Sequence, residues 1–148
     1  MKLMAIVAAA LLAPGMAQAQ PPSKQQIFCA ELRRVVEVAE LGGDFTYLER
    51  SRAAPPRFGF VHGCQATGDE KKQYWICSQS LAPENMSRDA LAARVALCLL
   101  EAVRSRNGIT NDAVFTLPQV RISISELGGP GAKVGRMVTF VVEAIPTP

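Results

Sequence analysis

Four cysteines, Cys29, Cys64, Cys77 and Cys98, constrain this chain more than any other feature, because an export signal precedes all of them. Met1-Lys2 gives a short positive start and Leu3 to Leu12 an apolar run. Pro14-Gly15 breaks that run, and Ala17-Gln18-Ala19 offers a small-x-small cleavage site before Gln20. This is the pattern of a secretory signal peptide over residues 1–19, too short to span a bilayer once processed. No cysteine stands directly after the apolar run, which disfavours a lipid anchor. The expected location is periplasmic or secreted, an oxidising setting in which an even number of cysteines favours two disulfides.

Four cysteines allow three connectivities, and their spacing selects among them. Cys64 and Cys77 are symmetric about the polar turn Gly68-Asp69-Glu70-Lys71-Lys72, so they face each other if that turn closes a hairpin. Cys29 and Cys98 remain, each on the apolar face of an expected helix. The favoured pairing is therefore Cys64–Cys77 and Cys29–Cys98. Metal binding is disfavoured, because there is no C-x-x-C pair and the chain has a single histidine.

Cleavage after Ala19 leaves residues 20–148, the length of one domain with a real core. Without Lys2 there are 15 basic and 13 acidic residues, a net charge of +2. So mild and scattered a charge does not suit nucleic acid, and no later stretch is long and apolar enough to cross a membrane.

Two helices are expected. Ser23 and Gln26 form a capping box, and Phe28, Leu32, Val35, Val36 and Ala39 trace one face, with Gly42-Gly43 ending the helix. Glu31, Arg33, Arg34, Glu37 and Glu40 form its solvated side. The second helix spans Ser87 to Arg104. Leu91, Val95, Cys98, Leu99 and Ala102 share a face, and Leu97, Leu100 and Val103 make its C-terminal half apolar nearly all round. Ser87 serves as its N-cap, and Asn107-Gly108 stops it.

Strands are expected elsewhere. Asp44 to Leu48 reads as a short strand or loop with Phe45 and Leu48 in the core. Phe58 to Cys64 and Gln73 to Gln79 read as a hairpin, with Trp75 and Cys77 on one face. Val120, Ile122 and Ile124 alternate with Arg121, Ser123 and Ser125. After Gly128-Gly129-Pro130-Gly131 the chain returns over Met137 to Ile145. The expected fold is α+β, two helices packed on an antiparallel sheet made of two hairpins, in the order α-(β)-ββ-α-ββ.

The chemistry is sparse. His62 lies two residues from Cys64, but the disulfide claims that thiol, and no third group orients the imidazole. Gly128 to Gly135, GGPGAKVG, is not a phosphate loop, because Lys133 precedes Val134 and a strand rather than a helix follows. Trp75 and Tyr74 are candidates to line a ligand groove, although packing of Trp75 against the Cys64–Cys77 bridge is the simpler role.

The pattern resembles a group of small exported alphaproteobacterial proteins of unknown function. In that group a cysteine lies in an N-terminal helix before a "GF-x-x-L" element, a central cysteine precedes a Tyr-x-Cys strand, and "Cys-Leu" closes a second helix. Here Cys29, Cys64 and Cys98-Leu99 match, Asp44 intervenes in the second element as Gly43-Asp44-Phe45-Thr46-Tyr47-Leu48, and the Tyr-x-Cys element is loosened to Tyr74-Trp75-Ile76-Cys77. The helix–hairpin–helix–hairpin order also looks like the fold of type III secretion chaperones, which are cytoplasmic. Neither resemblance implies a substrate, cofactor or active site.

The expectation is a non-enzymatic exported domain, without cofactor, that binds a protein or small-molecule partner in the cell envelope. Its expected contact surface is Tyr74, Trp75, Gly129, Gly131 and Lys133. The alternatives are a small envelope hydrolase using His62 with Asp69 or Glu70, and a structural subunit of an envelope complex.

Overall fold

Helix α1, Lys24–Glu40, forms where the capping box and the apolar stripe place it. Ser23 Oγ accepts from Gln26 N–H at 3.2 Å, and Gln26 Oε1 accepts from Ser23 N–H at 2.7 Å. Phe28, Leu32, Val35, Val36 and Ala39 are its buried residues. The helix ends in a Schellman turn: Gly43 N–H donates to Val38 C=O and Gly42 N–H to Ala39 C=O. Gly43 has φ +77, and an added Cβ would lie 3.1 Å from Ala144 Cβ. The computed structural model describes residues 20–50, 55–69, 71–82, 84–128 and 135–146. The expected signal peptide, Glu70, Gly129, Gly131 and Lys133 lie outside those residues.

The architecture is α+β, with a six-stranded antiparallel sheet in the order β1-β2-β6-β5-β4-β3. Its strands are β1 Cys64–Gly68, β2 Gln73–Ser80, β3 Val103–Arg106, β4 Ala113–Leu117, β5 Val120–Leu127 and β6 Met137–Ala144. Helices α1 and α3, Arg88–Cys98, contact the sheet. Beneath them lies a core built from Trp75, Phe115, Ile122, Ile124, Phe140 and Val142 on the strands and Phe28, Leu32, Val35 and Leu91 on the helices. Phe28, Phe58, Phe60 and Phe140 meet edge-on or tilted, at centroid distances of 5.6 to 5.9 Å.

The structure departs from the expected order in four places. Asp44 to Leu48 is no strand. A short helix α2, Thr46–Arg50, occupies the region, with Phe45 and Leu48 buried as expected. The first hairpin strand runs from Cys64 to Gly68 rather than from Phe58 to Cys64. Gly59 and Gly63 take positive φ, which breaks the extended pattern before it starts. The turn after Gly68 forms as expected, with Asp69 Oδ1 accepting from Lys71 and Lys72 N–H.

The other two departures concern the second helix, which stops at Cys98 instead of Arg104. Arg33 Nη2 donates to Cys98 C=O at 2.7 Å, engaging the carbonyl that a continuing helix would offer to Ala102 N–H. Ala102 N–H turns to Leu99 C=O instead. Leu97, at the end of the helix, and Leu100 and Val103 beyond it are 61, 82 and 69% exposed. Asn107-Gly108 is therefore not a helix stop but part of a hairpin loop between β3 and β4. Asn107 Oδ1 accepts from Ile109 and Thr110 N–H, and Asn111 takes φ +59. The expected second hairpin is thus the end of a four-stranded meander.

Both disulfides join the expected cysteines. Cys29–Cys98 ties α1 to α3, and Cys64–Cys77 joins residues directly opposite in β1 and β2. Gln25 Nε2 lies over the first bridge, 3.2 Å from each sulfur. No helix of the described residues is long and apolar enough to cross a membrane.

Candidate functional site

The sheet has two unlike faces. Alternation along each strand sends Trp75, Cys77, Phe115, Ile122, Ile124, Val138, Phe140 and Val142 toward the helices, where they are buried. The opposite face is read from the strand registers. One row crosses it through Thr67, Tyr74, Glu143, Arg121, Thr116 and Val103, and the next through Gln65, Ile76, Val141, Ser123, Val114 and Ser105. Ser78, Thr139 and Ser125 follow. No helix of the described residues contributes to this face, and most of its β2, β4, β5 and β6 residues are half-buried.

Arg121 and Glu143 are the only charged side chains of this face among the described strand residues. Glu143 is 7% exposed. Arg121 Nε donates to it at 2.6 Å, and Lys72 Nζ lies 3.1 Å from its second oxygen. Burial opposes ionisation of Glu143, but the hydrogen bonds from Arg121 and Lys72 outweigh burial and hold its carboxyl below the usual range. The hydrogen bond to Glu143 in turn raises the Lys72 ammonium, which also sits 5.2 Å over the Tyr74 ring. Two cations share one carboxylate in this cluster, and beyond it hydroxyls, β-branched side chains and one aromatic ring face outward.

Of the expected contact residues, Tyr74 lies on this face. Trp75 does not: at 1% exposure it points into the helix-covered core, and its indole N–H meets no acceptor among the described residues. Its neighbours on that face are Cys77 and, across the hairpin, Ala66. Strand alternation alone separates Tyr74 from Trp75, so a groove lined by both is ruled out.

A cleft of about 650 Å³ opens where α1 ends. Ala39, Leu41, Gly42, Lys71, Gln119 and Ile145 are among the residues around it. A shallower hollow of about 390 Å³ shares Gly42 and Lys71 with it. Leu41 and Tyr47, which border the adjoining surface, are 89 and 64% exposed. Lys71 is the one cation here not engaged by a carboxylate of the described residues, and among those residues no nucleophile–base pair stands beside it.

His62 is exposed, in an irregular segment before β1, beside Phe58 and Val61. Asp69 follows the far end of β1. Five strand residues between them span about 16 Å, and the Asp69 carboxylate is engaged by its own turn. The structure does not bring these two groups together. Among the described residues no group of three or more His, Cys, Asp or Glu side chains stands positioned to hold a metal ion.

Comparison with protein-family models, with curated proteins and with solved structures gives no match.

Proposed function

We propose that this chain is an exported, non-enzymatic domain that binds a protein partner in the cell envelope through the open face of its sheet. The observation that carries this reading is the composition of that face. Exposed faces of antiparallel sheets ordinarily turn charged and polar residues to water. Here Tyr74, Ile76, Val114 and Val141 stand among Ser78, Ser123, Ser125 and Thr139, and the charges of the described strand residues are confined to the Arg121–Glu143 pair, which Lys72 joins. Depletion of charge around an aromatic side chain is one compositional mark of an interface core. Two disulfides suit an oxidising compartment, which agrees with the signal-peptide pattern of residues 1–19.

The test is a photocrosslinking amino acid placed at Tyr74, with a control at the exposed Ile27 on α1, in protein expressed in its own host. The expected result is one discrete adduct at Tyr74 that saturates with expression level and is missing from the control. No adduct at Tyr74, or the same adducts at both positions, refutes the reading.

A further inference from the structure

The two edges of the sheet are treated differently, and the difference is legible in the hydrogen-bond register. Along an antiparallel ladder, alternate residues direct both backbone groups to one neighbour, and the residues between direct theirs to the other side. In β1 the bond from Ser78 N–H to Gly63 C=O makes Gly63, Gln65 and Thr67 the residues that bond β2. Cys64, Ala66 and Gly68 therefore face the outer edge. There Glu49 of α2 covers the strand, its Oε1 accepting from Ala66 N–H at 2.7 Å.

At the other edge, the bond from Asn107 N–H to Asp112 C=O makes Ser105 and Val103 the residues that bond β4. Arg104 and Arg106 direct their N–H and C=O groups outward. None of the four groups has a partner among the described residues, and all four β3 residues are exposed. The two arginine side chains share a face. Arg106 is held by Asp89 at 3.1 Å and by Asn111. Arg104 lies 5.8 Å over the Phe115 ring, with no carboxylate of the described residues in salt-bridge reach. Exposed Leu97, Leu100 and Val103 lie just before or at the start of this edge.

We infer that β3 is a docking edge for an extended segment of a partner protein carrying acidic side chains at alternate positions, added as a seventh, antiparallel strand. The inference rests on the protein-binding reading above and names a second surface for it. Charge selects the occupant. A second copy of the chain fits poorly, because the two-fold register centred on Ser105, in which the outward groups of both strands meet, sets Arg104 against Arg106 twice, and like charges directly opposite repel. A strand with carboxylates two residues apart places them opposite both guanidiniums, while its backbone satisfies the outward N–H and C=O groups.

The probe is a terminally blocked peptide of alternating Glu and Val, titrated into the full-length oxidised protein and followed residue by residue by NMR, with an alternating Lys-Val peptide as control. The expected result is saturable binding in which exchange of the Arg104 and Arg106 amides slows at least about tenfold, while the Lys-Val peptide leaves them unchanged. Arg104→Pro should abolish the slowing at Arg106. It leaves the β4 ladder intact, since Arg104 N–H is not used there, but it removes an outward donor. Arg104→Glu leaves the backbone unaltered and should weaken Glu-Val binding at least about tenfold, a second readout if the proline variant fails to fold.

Equal binding of both peptides, full binding by Arg104→Glu, or perturbations confined to other residues overturns the inference. So does concentration-dependent protection of the two amides without peptide, which would assign the edge to a second copy. Perturbation of Tyr74 and Ile76 instead would overturn the edge while supporting the open-face reading. Failure of Tyr74 crosslinking alongside a normal peptide titration would do the reverse.

Discussion

The two disulfides differ in the loops they close, which allows a quantitative test of what they do. Cys64–Cys77 closes 13 residues, and Cys29–Cys98 closes 69. The smaller loop is nested in the larger, so with the inner bridge intact the outer one closes an effective 69 − 13, or about 56 residues. In the chain-entropy model, removing the outer bridge then costs about 4.2 kcal/mol and removing the inner one about 2.9 kcal/mol. The local packing loss is similar in the two cases. Each bridge pairs one buried sulfur, Cys98 or Cys77, with one half-buried, Cys29 or Cys64. The difference of about 1.3 kcal/mol between Cys29→Ala/Cys98→Ala and Cys64→Ala/Cys77→Ala therefore isolates the loop-length contribution. Urea unfolding of both variants, followed by circular dichroism and by fluorescence of the single tryptophan, measures it, with the remaining bridge verified by mass. Equal losses, or a larger loss for the inner-bridge variant, would refute the argument that closed-loop length sets the stabilisation.

Three further outcomes follow from particular contacts. Glu143 has its folded carboxyl below the ordinary value of 4.5, so its contribution is present above that value and is lost as pH falls through the lowered one. Glu143→Gln should cost about 1 kcal/mol at pH 7 and nothing in strong acid, so converging acid-unfolding curves support the assignment and parallel ones reject it. Glu49→Ala should speed hydrogen exchange at Ala66 about tenfold or more without altering Gln65 and Thr67, whose amides bond β2; uniform acceleration would mean global destabilisation instead. Gly43→Ala forces a side chain to φ +77 and against Ala144, and a thermal melt should register a loss of about 1–2 kcal/mol; an unchanged melting temperature would show that the Schellman turn relaxes freely.

Helix α1 was legible to the residue, because its cap, its stripe and its glycine stop agree and no tertiary contact overrides them. The cysteine pairing was legible for a related reason: the Gly68 to Lys72 turn sets a local register that only one pairing satisfies. Helix α3 was legible at its start and not at its end. Its apolar C-terminal half suggested a wrapped core helix. Where it ends, Arg33, a residue 65 positions earlier, engages the Cys98 carbonyl, and no local pattern records such a contact. Reading Asn107-Gly108 as a helix stop then concealed β3, although the same dipeptide between extended segments marks a hairpin turn. Ala113 to Leu117, a short apolar run with Val, Phe and Thr that ends before Pro118, was the signal that could have exposed the error. The open face followed from alternation along β5. The free edge did not, since edge position depends on strand order.

The position of β6 has a consequence for when this chain can fold. The last strand of the described residues is the third in the sheet, and among their strands it alone joins the β1–β2 hairpin to the β3–β4–β5 meander, pairing Trp75 with Val142. Until residues 137–144 are available, each part has an unpaired inner edge and Phe140 and Val142 are missing from the core. On the export proposed above, a chain threaded N-terminus first through a membrane would arrive as two halves awaiting a seam, and the same wiring that delays the fold would keep it open for passage.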